Sequence, residues 1–424
     1  MTELSRALAA LTFLTSTLFL GCTSAWAATP VEYDLVIKGG RVLDPAGGRD
    51  GILDVAVAGG RIARVAAGID ASRAATVVDA TGLVVTPGLV DIHAHVFFGT
   101  VDDQYLANSY TAVWPDAFAP RSCTTTVVDA GSSGHRNFEV FERQTIAHSR
   151  TRVLAFLNIV GGGMRGGRFE QDLGDMDARA TAQAILAHPR EIVGVKVAHY
   201  KGPSWDPVTR AVEAGRLAGV PVMVDFGDHE PPLSLEDLLL RVLRPGDILT
   251  HAYAEVPGRV SIVDASGTLH PYVRAARRRG VVFDLGHGGG SFALDQAIPA
   301  LAQGFPPDSI STDMHIQSLD GAMQDMVAIL SKLGALGMSL PDRIRRATAN
   351  PAAIVGRPEL GRLVEGGEAD LAILSASPGR FGFTDTSDRR VEGNEHLECE
   401  VTVRAGQVLW DRNGRTRPLW VGKR

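Results

Sequence analysis

At both ends of the chain apolar and polar residues alternate over short stretches, while the middle carries longer apolar runs separated by amphipathic segments. The runs Tyr33-Asp34-Leu35-Val36-Ile37, Asp54-Val55-Ala56-Val57, Arg61-Ile62-Ala63-Arg64-Val65 and Thr76-Val77-Val78-Asp79 are parted by the glycine turns Lys38-Gly39-Gly40-Arg41 and Ala58-Gly59-Gly60. They predict an antiparallel β unit without helices. From about Pro87 the apolar runs at 89–95, 124–130, 152–159, 192–198, 221–227, 247–253, 281–286 and 309–315 predict strands. Between them, 137–150, 181–188, 209–218, 235–243, 272–279 and 293–303 have helical spacing. Eight strands with intervening helices predict a (β/α)₈ TIM barrel over 87–351. Strand character returns after Asn350-Pro351, in Ala369-Asp370-Leu371-Ala372-Ile373-Leu374, Glu400-Val401-Thr402-Val403-Arg404 and Val408-Leu409-Trp410. Segments 28–86 and 352–424 are therefore expected to form one small β-sandwich domain built from both chain ends. No solenoid repeat is visible.

The first 27 residues predict a signal peptide: Arg6 precedes a largely apolar run over 7–20, and Ala25-Trp26-Ala27 forms a small-x-small cleavage site. Cleavage after Ala27 implies a periplasmic or secreted protein. Leu20-Gly21-Cys22 supports the alternative of a lipoprotein anchored through Cys22. After cleavage only Cys123 and Cys399 remain, too few for a disulfide framework. No other apolar run is long enough to span a bilayer. A formal net charge of −6 provides no electrostatic footprint for nucleic acid. The basic clusters Arg277-Arg278-Arg279 and Arg343, Arg345 and Arg346 read as solvated helix faces.

Candidate chemistry sits where the apolar runs end. His93 and His95, two residues apart on a strand, point the same way and can grip one divalent cation. Further runs end in or contain Lys196, Asp225, His251 and Asp313, and in a barrel the working residues stand at the carboxyl ends of strands. Two divalent cations close together can activate one water and polarise the carbonyl it attacks. His93, His95 and Asp313 would hold the buried cation and His251 the outer one. Asp313 is expected to take the water's proton and pass it to the leaving group. His287 faces the substrate carbonyl in one reading and is a structural hydrogen-bonding histidine in the other. Tyr200, Met314 and His315 are expected to line the pocket. The loop carrying Gly161-Gly162-Gly163, Arg165, Gly166-Gly167 and Arg168 either closes over the pocket or is a plain surface loop. His135, His148, His188, His270 and His396 are expected on the solvated surface.

Nearly everything from Tyr33 onward resembles the amidohydrolase superfamily of metal-dependent hydrolases, through Val85-Thr86-Pro87-Gly88-Leu89-Val90-Asp91-Ile92-His93-Ala94-His95, the barrel lysine, the strand-six histidine and the strand-eight aspartate. The runs Leu243-Arg244-Pro245-Gly246-Asp247-Ile248-Leu249-Thr250-His251, Phe283-Asp284-Leu285-Gly286-His287-Gly288 and Pro307-Asp308-Ser309-Ile310-Ser311-Thr312-Asp313 look like its deacetylase branch, often labelled dihydroorotase-like. Members of that branch are similar to esterases that remove acetyl groups from small hydroxy acids. The resemblance implies two divalent metal ions, zinc or manganese, and carbon dioxide held as a carbamate on Lys196. The unmodified alternative is a lysine paired with a barrel carboxylate. Asp225 departs from the family pattern, since many relatives carry histidine there as a ligand of the outer metal. Three readings follow: Asp225 binds that metal directly, His199 or His229 substitutes, or the enzyme works with one metal.

The expected activity is hydrolysis of an acyl ester or amide of a small-molecule substrate. The alternatives are a cyclic-amide hydrolase similar to dihydroorotases or hydantoinases, an N-acyl-amino-acid or dipeptide hydrolase, and a non-catalytic metal- or ligand-binding protein. A homo-oligomer is compatible with all of these.

Overall fold

The computed structural model describes residues 31–99, 112–255 and 259–422. The predicted signal segment, Cys22 and part of the loop after the first barrel strand lie outside them.

The first five strands are β1 (Tyr33–Asp44), β2 (Arg49–Ala58), β3 (Arg61–Ala66), β4 (Ala74–Asp79) and β5 (Val84–Pro87). Then come β6 (Leu89–Ala94), β7 (Thr124–Gly134), β8 (Arg152–Asn158), β9 (Ile192–Val197), β10 (Val222–Val224), β11 (Ile248–Leu249) and β12 (Val282–Phe283), and finally β13 (Leu371–Thr384), β14 (Arg390–Arg404) and β15 (Gln407–Asp411). The chain ends do meet, in one eight-stranded sheet ordered β15-β14-β13-β5-β1-β2-β3 with β4 beside β1. Its apolar face buries Leu35, Ile37, Val55, Val85, Ile373 and Val401 together.

This sheet is not the purely antiparallel unit that the turn spacing predicts. β1 pairs antiparallel with β2 but parallel with both β4 and β5. Short glycine turns make neighbours antiparallel only when the strands they join pair with each other. Here β4 and β5 pass β3 and return to β1.

Strands β6 to β12 form a second sheet, parallel throughout and ordered as in the chain. Parallel neighbours need crossover connections, and helices supply them. Asp206–Ala218, for example, has proline in its first turn and ends at Gly219 in the left-handed conformation. The other predicted helices appear near their expected positions, as Phe138–Gln144, Ala178–Ala187, Pro271–Arg278 and Leu294–Ala302; 235–243 is a helical turn running into a π-helix. The segment 309–314 bridges both edges of this sheet in parallel, Ser309 opposite Asp284 and Met314 opposite Ala94. The architecture is a TIM-barrel-like α/β fold with a second, strand-rich region. Among the described residues no helix is long and apolar enough to cross a membrane.

The two remaining cysteines are paired, and two surface expectations are corrected. Cys123, just before β7, and Cys399, in β14, form one disulfide, their Cα atoms 5.4 Å apart. A count of cysteines says how many bonds are possible, and only the packing of β14 against the barrel brings these two together. Arg343 is buried, bonding Leu330 O and Glu395 Oε1 at 2.8 Å each, and the Arg277 guanidinium lies 3.5 Å from the centre of the Phe305 ring. Their long apolar stems make such packing favourable. Of the five histidines expected in solvent, His148 is exposed, while His135, His188, His270 and His396 are half-buried. Three of these rest on aromatic rings: His188 on Phe138, His270 on Tyr272 and His396 on Phe381.

Candidate metal centre

Side chains from the carboxyl ends of five barrel segments converge on one point. His93 Nε2 and His95 Nε2 lie 3.4 and 3.1 Å from the same oxygen, Asp313 Oδ1. Lys196 Nζ is 3.1 Å from His93 Nε2, and the His93 and His251 rings are 5.0 Å apart. Ligand atoms of His93, His251 and Asp313 all lie within 4.8 Å of one another. Asp225 Oδ2 joins from the other side, 3.5 Å from His251 Nε2. Both His251 and Asp313 have positive φ, 55° and 52°, a conformation that non-glycine residues rarely adopt and that clusters at functional sites. At a strand end it swings the side chain inward over the mouth of the sheet.

The unused face of each imidazole is occupied by protein. His251 Nδ1 donates to Gly286 O at 2.6 Å, which fixes its proton there and turns the Nε2 lone pair to the centre. His93 Nδ1 meets Thr250 Oγ1 at 2.9 Å, and that hydroxyl donates to Asp284. His95 Nδ1 lies 3.2 Å from Ser132 Oγ, beside Asp129. Metal-bound histidines are oriented by contacts of this kind. Gly131 leaves room for the lysine, since a Cβ there would stand 2.7 Å from Lys196 Cβ.

Burial shapes the charges. It lowers the Lys196 amine below the usual lysine range, against the nearby carboxylates of Asp225 and Asp313. It lowers His93 to about 3, helped by Lys196, so that imidazole is neutral. For Asp313 burial acts upward but is outweighed by His93, His315 and His95, and the carboxyl is held well below the ordinary range. Asp225 behaves alike through His251, His199 and Lys196. Asp91 is pushed up by burial to about 7; it accepts from Thr312 Oγ1 and Thr312 N, tying the first barrel strand to the 309–314 segment. Three imidazoles, that of His93 held neutral, with a desolvated amine and ionised carboxylates aimed at one point are a donor set that fits divalent cations.

Not every expected residue joins. His287 is turned away: left-handed Gly286 and Gly288 flank it, and its ring folds under the loop onto Phe292, 4.6 Å away. Its Nδ1 donates to Gly288 O and its Nε2 accepts from Lys332 Nζ at 2.6 Å. Tyr200 and Met314 belong to the apolar core, although Met314 O accepts from His95 N. His315 does stand at the centre's edge, its Nδ1 donating to Asp313 O at 2.6 Å. His229 packs between Phe226 and Tyr200. The residues that sequence reasoning missed are those behind the ligands: Thr250, Asp284, Ser132, Asp129 and Glu170. Single polar residues inside apolar runs, such as Asp129 and Asp284, were the only signal.

A parallel sheet with imidazoles and carboxylates gathered at the carboxyl ends of its strands defines the class of metal-dependent hydrolases. No protein-family model matches the chain. It is 32% identical over 342 residues to a deacetylase of Agrobacterium fabrum (strain C58), covering 79% of this chain and 81% of that one. Among solved structures, an adenine deaminase matches with a TM-score of 0.78 at 27% identity, over 90% of this chain and 100% of that one. A dihydroorotase matches with a TM-score of 0.77 at 26% identity, over 88% and 98%. The chain belongs to the amidohydrolase superfamily, in its deacetylase branch.

Proposed function

We propose that this protein removes acyl groups, acetyl foremost, from esters or amides of small molecules, at a two-cation centre in a closed (β/α)₈ barrel. The observation that carries the reading is the approach of His93 and His95 to one oxygen of Asp313, beside Lys196 and His251. Closure of the barrel is supported by the bridges from 309–314 to both sheet edges. The 28–86 and 352–424 segments would form the companion domain.

His93, His95 and Asp313 would hold the inner cation, and His251 with Asp225 the outer one. Zinc suits so many imidazoles, with manganese the alternative. Bound there, the cations supply Lewis acidity, easing deprotonation of water and polarising the acyl carbonyl. Lys196, buried and short of solvation for its charge, is suited to react as a neutral amine. Were its nitrogen to bond the carbon of carbon dioxide, with one proton released to solvent, the carbamate would supply two further oxygen donors beside His93. Asp313 takes the proton of the attacking water and returns it to the leaving oxygen or nitrogen. Its two oxygens face different ways, Oδ1 to the imidazoles and Oδ2 towards Gly288. His287 acts from behind, holding the loop that carries Gly286 and Gly288.

Export through the 1–27 segment is supported by the Cys123–Cys399 bond, because disulfides persist in oxidising compartments. The likeness to a dihydroorotase favours a second reading, cyclic-amide hydrolysis. Assays of the zinc-loaded protein on acetyl esters, N-acetyl amino acids, dihydroorotate and hydantoin separate the two. Turnover of the acetyl compounds, lost on chelation and reduced about 10²–10⁴-fold by Asp313→Asn, is the expected result. Turnover confined to the cyclic amides would replace the reading, and none on any substrate would leave a binding protein.

A further inference from the structure

Strand β10 leads to a carboxylate, Asp225, so the outer position lacks the imidazole that the family pattern provides there. We propose that His199, two residues beyond β9, supplies that imidazole as a ligand of the outer cation, and that Glu170 aims it. The inference rests on the two-cation reading above.

Spacing is the first argument. His199 Nε2 and His251 Nε2 lie 3.7 and 3.5 Å from the same atom, Asp225 Oδ2. Two donors at about 2.1 Å from a tetrahedral ion stand about 3.4 Å apart. Each imidazole nitrogen therefore stands near that spacing from the carboxylate oxygen between them, as His93 does from Asp313 at 3.4 Å.

Orientation is the second. His199 Nδ1 donates to Glu170 Oε2 at 2.9 Å, so Nε2 is the nitrogen left facing Asp225. The Glu170 side chain is only 2% exposed although it comes from the glycine-rich loop, and its other oxygen accepts from Gly166 N. The next residue grips the backbone: Gln171 Nε2 donates to His199 O, and Lys201 N donates to Gln171 Oε1. Carboxylate, imidazole and metal in that order are a recurrent ligand arrangement. The glycine-rich loop is therefore a clamp on residues 199–201.

Backbone conformation is the third. His199 has φ of +59°, beside +55° for His251 and +52° for Asp313. A left-handed conformation is unfavourable for a histidine, and here it puts the ring at the mouth of the site. The side chain is 51% exposed, as an outer ligand must be to admit substrate.

The test is zinc stoichiometry and affinity of the full chain, measured by calorimetry against a competing chelator, with circular dichroism as the control for folding. The wild type is expected to bind about two ions, and His199→Ala about one, with the tighter site unchanged. Glu170→Gln should keep both ions and weaken only the outer one, by about 10–100-fold. Cobalt in place of zinc should lose part of its visible absorption in His199→Ala. Two ions bound with unchanged affinity by both variants would overturn the inference and spare the hydrolase reading. A single ion in the wild type would overturn it too, whereas no ion at all would also remove the reading beneath it.

Discussion

Thr250 holds His93 in one tautomer. The threonine hydroxyl has a single proton, which it donates to Asp284 Oδ2 at 2.8 Å, so towards His93 Nδ1, 2.9 Å away, it can only accept. The proton of His93 is thereby placed on Nδ1 and the Nε2 lone pair faces Asp313. Ser309 and Ser311 donate to the same Asp284 carboxylate and hold it in position. Thr250→Val preserves shape and removes the relay. It should weaken cation binding by about 10–100-fold, measured by chelator competition; unchanged affinity would show that the relay does not orient the ligand.

Gly288 is the contact through which the loop after β12 bears on Asp313. A Cβ at 288 would stand 2.3 Å from Asp313 Oδ2, in a backbone with φ of +52°. Gly288→Ala should therefore shift the carboxylate and lower kcat by about 10²-fold. At Gly290, in the same loop, a Cβ would meet nothing within 4 Å. Gly290→Ala is the matched control and should leave kcat within a factor of about two.

Lys332 predicts a pH dependence of stability. Its ammonium is buried 5.1 Å from the centre of the Phe292 ring, with His287 Nε2 and Ala322 O as partners. Burial lowers it from an ordinary 10.5 to about 7, partly opposed by Asp385. Between those values the unfolded chain binds a proton that the folded chain has released, so this group makes stability rise with pH. Its penalty is full below about pH 7 and is relieved above it, with a slope approaching about 1.4 kcal/mol per pH unit. Lys332→Met should flatten the urea-derived stability curve across that window and stabilise the protein at pH 6. Parallel curves for the two proteins would contradict the assignment.

The disulfide closes a loop between residues 276 apart, from the barrel to the strand-rich region. Cys399→Ser, or reduction of the wild type, should lower stability by about 2–4 kcal/mol, seen as a drop in Tm. Catalysis at 25 °C should be unaffected, because neither cysteine reaches the metal centre. An unchanged Tm would mean that the denatured state is already restricted.

Local sequence was enough to say which residues stand at strand ends. Alternation and apolar runs reflect local sterics and burial, so the positions of β6 to β12 and of their helices were legible, and with them His93, His95, Lys196, His251 and Asp313. Tertiary structure decided what depends on segments distant in the chain. It returned β4 and β5 to β1, joined Cys123 to Cys399, and turned His287 onto Lys332. It also brought Glu170 to His199, from loops following different strands. The physical reason is one of range: periodicity records which face of an element is buried, whereas the aim of a ring at a strand end follows from one backbone torsion and from hydrogen bonds across hundreds of residues.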